Sequence, residues 1–407
     1  MYPDNPILHT DTQNCRVWAR IDLSALVHNY ALLRDHVRAV SPGTVAVAVI
    51  KADAYGHGIA PCARALYHAG CRHFAVACIE EGIAARTALD TPDSEPAEIL
   101  ILGYTNPAEA ALLHRYRLTQ TLFSPAYTSE LHAAAKAAGV VLDVHVKLDT
   151  GMHRIGYPAY TEQDAALTTE QVCNLIDTCD AFCVKGLFSH LSDADCGDFY
   201  LTQWQRYLRI LQALQARGKR PAFCHVCNSP AGVRLPQAYL NGVRFGAFLY
   251  GIVPPVSNSP ECDLGRNLFP ADKLRGVMRL QTRIIHLHKV AAGEPVGYGA
   301  LCRADRDRTI ATLSAGYGDG WLRAYAGTTV TVHTAQGDFQ APTVGRICMD
   351  LCMIDVTDLP CRTGDVVTLF GSNVQATEAL AQHAGTIAYE IPCLITARVP
   401  RIYDTFK

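Results

Sequence analysis

The sequence lacks the long apolar run that a membrane-spanning helix requires. No stretch of the 407 residues approaches the roughly 20 apolar residues needed to cross a bilayer, although 49% of the residues are hydrophobic. The first residues, Met-Tyr-Pro-Asp-Asn-Pro, also lack the positive stretch and following apolar run of a signal peptide. We therefore expect a cytoplasmic protein that has large buried cores and makes no contact with a membrane.

A surplus of basic residues is absent as well. The 36 lysine and arginine residues are balanced by 38 aspartate and glutamate residues, so the formal net charge is −2. This balance argues against nucleic acid or an anionic membrane surface as a partner.

Paired cysteine motifs are scarce although cysteine itself is abundant. In a large chain that we do not expect to be secreted, 16 cysteines indicate reduced thiols rather than a disulfide framework. The segment Cys224-His-Val-Cys227 has the spacing of metal ligands, but it falls in an apparent strand and no second pair accompanies it. We expect no metal site.

The first two thirds of the chain alternate strand-like and helix-like segments. The strand-like segments are residues 44–50, 73–79, 98–103, 118–124, 142–149, 183–191, 222–229 and 242–249. Amphipathic stretches with helical spacing lie between many of them. Eight strands, most of them followed by a helical stretch, predict a (β/α)8 TIM-type barrel in the α/β class. A doubly wound open sheet is the alternative, but it is less favoured because no Gly-x-Gly-x-x-Gly turn is present.

The pattern changes after about residue 260. Proline and serine residues just before that point resemble a linker, and the runs beyond it are short, β-branched and separated by glycine, aspartate and proline. We therefore predict a mostly β C-terminal domain. The predicted boundaries are 1–14 for an N-terminal segment, 23–260 for the barrel and 261–407 for the β domain.

A single lysine, Lys51, follows the first barrel strand. Residues 45–50 have the length and β-branching of a buried strand, and the small, glycine-containing residues after Lys51 predict a loop. An amine held at the mouth of a sheet is partly stripped of water, which favours the free amine and suits a Schiff base with an aldehyde. From position alone, however, a solvated lysine at the end of a strand is the better interpretation.

The residues around Lys51 reverse that preference, because they resemble the pyridoxal-phosphate lysine motif of the alanine racemase family. The run is Val-Ile-Lys-Ala-Asp-Ala-Tyr-Gly-His-Gly, residues 49–58. Seven further segments match the family in its order: Lys147-Leu-Asp-Thr-Gly-Met-His-Arg154, Gly186-Leu-Phe-Ser-His190, Cys227-Asn-Ser229, Val243-Arg-Phe-Gly246, Gly297-Tyr-Gly299, Val344-Gly-Arg-Ile-Cys-Met-Asp350 and Tyr389-Glu-Ile-Pro-Cys393. Each segment alone is a weak signal, but eight in order over most of the chain are not expected by chance.

The resemblance implies an activity, a cofactor and an assembly. It implies interconversion of L-alanine and D-alanine on pyridoxal 5'-phosphate, which supplies D-alanine for peptidoglycan in a bacterium. The cofactor acts as an electron sink once the substrate amine has displaced the lysine. Inversion requires a base on each face of the α carbon, and the resemblance assigns Lys51 to the D face and Tyr298 to the L face. It further implies a homodimer with shared active sites, and a first strand, ending at about residue 22, that joins the C-terminal domain.

The resemblance also assigns residues around the cofactor and the substrate. Arg244 would meet the pyridine nitrogen, and because arginine cannot accept a proton it would disfavour protonation there. Arg154 and the backbone N–H of Met349 would hold the substrate carboxylate, and Lys147, either carbamylated or unmodified, would orient Arg154. Further cofactor contacts are implied for Tyr55, His190, Ser229, Gly246, Ala247 and Tyr389. The residues that match the substrate entrance are Tyr317, Asp195, Arg323 and Arg346, although a solvated loop explains these four nearly as well.

Three other functions stay open at this point. A serine or broad-specificity racemase is disfavoured by Tyr389, because a phenol there leaves room for little beyond a methyl group, although weak serine turnover is expected. A decarboxylase of the same architecture would pair the pyridine nitrogen with a carboxylate instead of Arg244. A non-catalytic pyridoxal-phosphate carrier would lack the β domain and Tyr298. One departure from the family is His153, which stands where glycine is usual.

Overall fold

Two closed sheets organise the chain in the computed structural model, which describes residues 12–90, 95–253, 271–371 and 374–404. Strands β1 to β10 are Val17–Asp22, Val45–Val49, His73–Val76, Glu98–Ile101, Thr119–Leu122, Leu142–Asp149, Tyr157–Pro158, Phe182–Phe188, Phe223–His225 and Gly242–Phe245. Strands β11 to β19 are Met278–Val290, Pro295–Val296, Cys302–Arg303, Arg308–Leu313, Thr329–Thr334, Gly337–Val344, Cys352–Asp355, Val366–Phe370 and Arg401–Asp404. Helices α1 to α11 are Leu23–Val40, Lys51–Tyr55, Ile59–His68, Ile79–Leu89, Ala110–Arg115, Pro125–Ala137, Glu162–Thr178, Phe199–Ala216, Ala231–Arg234, Val374–Ala384 and Glu390–Cys393.

Eight parallel strands close into a barrel. Their order is β2, β3, β4, β5, β6, β8, β9 and β10, and β10 pairs again with β2 through Val243 opposite Ala46. Closure removes both sheet edges, so every barrel strand has two hydrogen-bonded neighbours. The predicted TIM-type barrel is confirmed, and the doubly wound alternative is wrong.

Local signals explain where several barrel helices begin. Helix α1 starts after Asp22, whose side chain accepts the N–H of Ala25 at 2.8 Å. Helix α6 starts after Ser124, with proline in its first turn. Helix α7 begins with a capping box between Thr161 and Asp164. Among the described residues, no helix has the length and apolar character needed to cross a membrane.

The C-terminal sheet is antiparallel and also closes on itself. Its ring runs β11, β14, β17, β16, β15 and β18, and β18 pairs back with the long strand β11. Strand β1 lies beside this ring, antiparallel to β11 and parallel to β19. The mostly β character predicted for this part of the chain is confirmed. The boundary predicted near residue 260 and most of segment 1–14 lie outside the described residues.

The cysteines are mostly buried or partly buried thiols. Fourteen of them are free among the described residues. Cys196 is disulfide-bonded, so the expectation of reduced thiols is wrong at that position.

Two histidines face each other inside the barrel. His145 on β6 and His225 on β9 are fully enclosed, and their Nδ1 and Nε2 atoms are 3.1 Å apart. Burial lowers the pKa of His145 to about 4, and burial followed by the Arg244 charge lowers the pKa of His225 well below its usual value. Both rings are therefore neutral at physiological pH.

Acid should destabilise the barrel through His145. Its ring takes up a proton at about pH 6.5 in the unfolded chain but only at about pH 4 in the folded one. The unfolded state therefore binds the extra proton inside this window, and folding stability falls as the pH drops from 6.5 towards 4. At 1.36 kcal/mol for each tenfold change in proton affinity, the loss is about 3 kcal/mol.

The test is to measure the melting temperature by circular dichroism at several pH values between about 7 and 4.5. The His145→Gln variant should lose less melting temperature over this range than the unsubstituted chain. His68→Gln serves as the control, because His68 is exposed at the end of α3. The same loss in all three proteins would contradict the assignment.

Candidate active site

A cavity of about 480 Å³ opens at the carboxyl ends of the barrel strands. Almost every barrel strand contributes residues to its wall, either from its last positions or from the loop that follows. This is the end at which barrels of this class place their active sites. The predicted site residues that line it are Lys51, Tyr55, Lys147, Arg154, His190, Asp195, Ser229, Arg244, Gly246, Ala247 and Tyr389.

The charge of the cavity wall is unbalanced. Four cationic side chains, namely Lys51, Lys147, Arg154 and Arg244, share the lining with one carboxylate, Asp195. Burial, and then the charge of Arg154, lowers the pKa of Lys51. The same two causes lower the pKa of Lys147 to about 7. Lys147 thus offers free amine near neutral pH, the free amine of Lys51 is favoured by the same causes, and the excess positive charge suits an anionic ligand.

The segment named α2, Lys51–Tyr55, is a left-handed turn rather than an ordinary loop or right-handed helix. The φ angles of Ala52, Asp53, Ala54 and Tyr55 are 53°, 52°, 55° and 53°. For residues other than glycine, this conformation costs about 1–2 kcal/mol each, so the surrounding structure must stabilise it. The turn places Lys51 and Tyr55 on the same cavity wall.

The C-terminal segment packs against this turn. A Cβ atom added to Gly56 would lie 2.1 Å from the carbonyl oxygen of Pro392, so helix α11 contacts the backbone directly. Arg401 donates from Nε to the Gly56 carbonyl at 3.1 Å, and from its other nitrogens to the carbonyls of Ile395, Thr396 and Val399 at 2.7–2.8 Å. Within the barrel, Asp53 Oδ1 accepts the N–H of Ile59 at 2.7 Å. These contacts fix the strained turn from both sides.

Arg244 is a buried cation with neutral partners. Its guanidinium donates to His225 Nδ1 at 2.5 Å and to the carbonyls of Ser189 and Val226 at 2.8 and 3.1 Å, and it lies 3.3 Å from His190 Nδ1. Within the described parts of the chain, no carboxylate pairs with it. Burial lowers its pKa to about 10, so it keeps its charge at neutral pH. Because arginine only donates, Nδ1 of His225 must be the acceptor. His225 therefore carries its proton on Nε2 and donates a hydrogen bond from there to Nδ1 of His145.

Small residues and hydroxyl groups form another part of the wall. The Gly246 N–H donates to Ser229 Oγ at 3.0 Å. A Cβ atom on Gly246 would approach the Tyr55 hydroxyl to 2.5 Å, so glycine leaves room for that hydroxyl. Burial raises the pKa values of Tyr55 and Tyr389, which keeps both phenols protonated as hydrogen-bond donors. Hydroxyl and N–H dipoles of this kind suit an anion such as phosphate.

Some predicted site residues lie outside this cavity. Tyr298 and Met349 are 69% and 54% exposed, and neither lines it. Of the four predicted entrance residues, Asp195 lines the cavity, whereas Tyr317, Arg323 and Arg346 do not. A Cβ on Gly299 would lie 3.4 Å from the Arg346 side chain, so Arg346 lies beside the backbone that follows Tyr298 in the β domain.

A buried carboxylate that the sequence analysis missed fixes the loop of Met349. Asp319 has no exposed side-chain surface and pairs with Arg16 and Arg398, the latter at 2.8 Å. Arg398 also binds Asp350 Oδ1 at 2.9 Å, and the Gly318 N–H donates to the Met349 carbonyl at 2.9 Å. The available signal was an acidic residue inside the glycine-rich turn of residues 316–320.

The sequence analysis also missed His225. The signal was the alternation of β-strand residues: His145 and Lys147 are two apart on β6, so both point towards the interior. A histidine on β9 can therefore meet His145 inside the barrel, and it also supports Arg244.

Comparison with known proteins covers nearly the whole chain. The family model "Alanine racemase, N-terminal domain" matches residues 21–254, and "Alanine racemase, C-terminal domain" matches residues 277–403. The alanine racemase of Desulfovibrio desulfuricans is 39% identical over 390 residues, which is 95% of this chain and 98% of the relative. That of Geobacillus stearothermophilus is 36% identical over 405 residues, which is 98% and 95% of the two chains.

Solved structures agree with these sequence matches. Alanine racemase from Streptomyces coelicolor A3(2) superposes with a TM-score of 0.83 at 34% identity, covering 96% of this chain and 98% of the other. The Clostridium difficile 630 enzyme in complex with cycloserine gives 0.80 at 30% identity, with 96% of each chain covered. Both family domains match in order, and the relatives extend over the full length of the barrel and the β domain. The chain therefore belongs to the alanine racemase family.

Proposed function

We propose that this protein interconverts L-alanine and D-alanine and that it uses pyridoxal 5'-phosphate, held in the barrel cavity. The observation that carries the proposal is Arg244, a buried cation that has only neutral partners and faces the same cavity as Lys51. A desolvated positive charge of this kind is costly unless a ligand completes its surroundings. The alanine racemases that this chain resembles give the substrate.

The lining residues fit each part of this cofactor. The amine of Lys51, with its lowered pKa, suits the aldehyde carbon. Arg244 suits the pyridine nitrogen, and His190, whose Nδ1 lies 3.3 Å from the Arg244 guanidinium, would lie beside the ring. The phosphate fits the wall of hydroxyl groups and small residues formed by Tyr55, Ser229, Gly246, Ala247 and Tyr389. When bound, the cofactor supplies an electron sink that stabilises negative charge at the substrate α carbon.

The residues of the chain would then bind the substrate and move its proton. Arg154 would hold the substrate carboxylate, which a guanidinium binds with two parallel hydrogen bonds. Lys51, as a free amine, would remove or return the α proton on the D face. Arg244 cannot accept a proton, so it would keep the ring nitrogen unprotonated and limit side reactions. Lys147 would orient Arg154, and its pKa of about 7 leaves much of its amine neutral, the form that carbamylation requires.

The second base supports the proposal of a homodimer. We infer that Tyr298 acts on the L face, yet it is 69% exposed and does not line the cavity of its own chain. A second copy can bring Tyr298 and the backbone N–H of Met349 to this cavity. Exposed apolar side chains at Leu301 and Leu351, close in sequence to Tyr298 and Met349, provide surface for such a contact. The proposed dimer therefore has two active sites, each built from both chains.

Racemisation is tested directly by incubating the purified protein with L-alanine and pyridoxal 5'-phosphate. Chiral chromatography should show D-alanine approaching an equal mixture. Little product is expected from serine, because Tyr389 lines the cavity and we expect its phenol to leave room for little beyond a methyl group. Borohydride reduction followed by peptide mapping should place the cofactor on Lys51, and Lys51→Ala should lose both the label and the activity. Cofactor absorbance without loss of the α proton in deuterium oxide would instead identify a carrier.

The role of Arg244 is tested with Arg244→Glu. A carboxylate favours protonation of a nearby nitrogen, so the absorbance spectrum of the bound cofactor should change and racemisation should slow by at least about tenfold. Arg244→Lys is the matched control, since it keeps the cation and should leave the spectrum closer to that of the unsubstituted protein. Melting temperatures check that both variants are folded. An unchanged spectrum and rate in Arg244→Glu would exclude a contact with the ring.

Tyr298→Phe tests the assignment of one base to each face. The substitution removes the phenol and retains the ring, so exchange of the α proton in deuterium oxide should fall roughly 100-fold or more from L-alanine and far less from D-alanine. Equal losses from both enantiomers would contradict the two-base assignment.

The shared site is tested by mixing Lys51→Ala with Tyr298→Phe protein. In a hybrid dimer of the proposed kind, one site carries both substitutions and the other carries neither, so part of the activity should return. No recovery in hybrids confirmed by mass spectrometry would contradict a site built from two chains.

A further inference from the structure

Arg154 reaches the cavity without side-chain anchors. It follows the end of β6 and lies close enough to Lys51 and Lys147 to lower the pKa of both lysines. Within the described parts of the chain, its guanidinium makes no hydrogen bond or ion pair. Because no partner holds the guanidinium, the backbone of the loop determines where this side chain starts and in which direction its Cα–Cβ bond points.

His153, the residue before Arg154, has a backbone conformation that histidine rarely adopts. Its φ angle is +54°, in the left-handed region that favours glycine. A histidine placed there adds strain unless its side chain or backbone makes contacts that compensate. The structure contains two such contacts.

One contact is a ring pair and the other is a hydrogen bond. The His153 ring packs on Tyr160 with 4.4 Å between centroids and 34° between planes. The His153 N–H donates to Asp149 Oδ1 at 3.0 Å, and the Gly151 N–H donates to the same oxygen at 3.0 Å. Burial and the hydrogen-bonded Asp149 raise the pKa of Tyr160 to about 12, which keeps that hydroxyl protonated beside the carboxylate. Asp149 thus links the backbone N–H groups of Gly151 and His153 to Tyr160, the residue on which the His153 ring packs.

We propose that the packed pair His153 and Tyr160 is a positioning element, which fixes the loop backbone so that Arg154 presents its guanidinium to the carboxylate of the substrate. The proposal rests on the proposed function for the role of Arg154. His153 and Tyr160 themselves do not line the cavity. They act on substrate binding through Arg154, and they act by ring packing rather than by charge.

The test uses binding of propionate, a three-carbon carboxylate without an amino group, to the protein loaded with cofactor. His153→Gly removes the ring while glycine adopts the same φ angle without strain, so the fold is retained. The dissociation constant of propionate and the KM of alanine should each rise roughly three- to tenfold, the size expected from loss of an aromatic pair, with kcat within about twofold. Tyr160→Ala should have the same effect.

Two comparison variants separate positioning from other causes. His153→Phe keeps the ring without a titratable group and should restore propionate binding and KM to within about twofold of the unsubstituted protein. His286→Ala removes a histidine that packs on His288 at 5.0 Å in the β domain and does not line the cavity, and it should change neither quantity. Affinity for pyridoxal 5'-phosphate, followed by absorbance, should be the same in all variants.

The outcomes distinguish the positioning role from the proposed activity. If the unsubstituted protein racemises alanine, but His153→Gly and Tyr160→Ala bind propionate as tightly as the unsubstituted protein, the positioning role alone is overturned. Failure of His153→Phe to restore binding would overturn it as well, as would an equal loss in His286→Ala. If the unsubstituted protein binds propionate and the variants lose that binding, but no D-alanine forms, the positioning role stands and the activity fails. No propionate binding by the unsubstituted protein would overturn the positioning role.

Discussion

The cavity depends on one buried charge that the protein itself does not neutralise. Arg244 has only carbonyl oxygens and histidine nitrogens as partners among the described residues. Since a guanidinium only donates, it sets the proton positions on His225 and, through it, on His145. Because the histidines are neutral, they leave the positive charge of Arg244 available to a ligand in the cavity. A carboxylate in their place would pair with Arg244 and reduce the attraction of its charge for that ligand. The depressed pKa values of Lys51 and Lys147 result partly from the same concentration of cations.

The second constraint is the strained turn after Lys51. Four consecutive residues with positive φ are unstable in isolation, and the contacts that stabilise them come largely from the far end of the chain. Tyr389, just before helix α11, lines the cavity from the same segment. The barrel therefore provides the lysine and the arginine, but the C-terminal segment determines how accurately the lysine is placed.

The barrel was predictable from sequence because its strands are short apolar runs that alternate with helical stretches, and because Lys51 and Arg244 lie at strand ends within recognisable motifs. The left-handed turn was not predictable, because Ala52, Asp53 and Ala54 do not favour positive φ and the turn depends on contacts about 340 residues away in the chain. Contacts between residues distant in sequence also hid the roles of Asp319 and His225. The exposure of Tyr298 could not be predicted from local pattern, since the division of the site between two subunits that we propose gives no signal within one chain.

The pairing of β1 with β11 and β19 has a consequence for synthesis of the protein on the ribosome. The eight barrel strands have all been made once residue 245 has emerged, so the barrel can close early, as N-terminal units generally do. Strand β1 must wait for β11, and its other neighbour, β19, is among the last described residues to be translated. Arg401 lies in β19, so in the nascent barrel the turn after Lys51 lacks the hydrogen bond from Arg401 to the Gly56 carbonyl. The turn that carries Lys51 therefore reaches its stabilised form only after β19 has been translated.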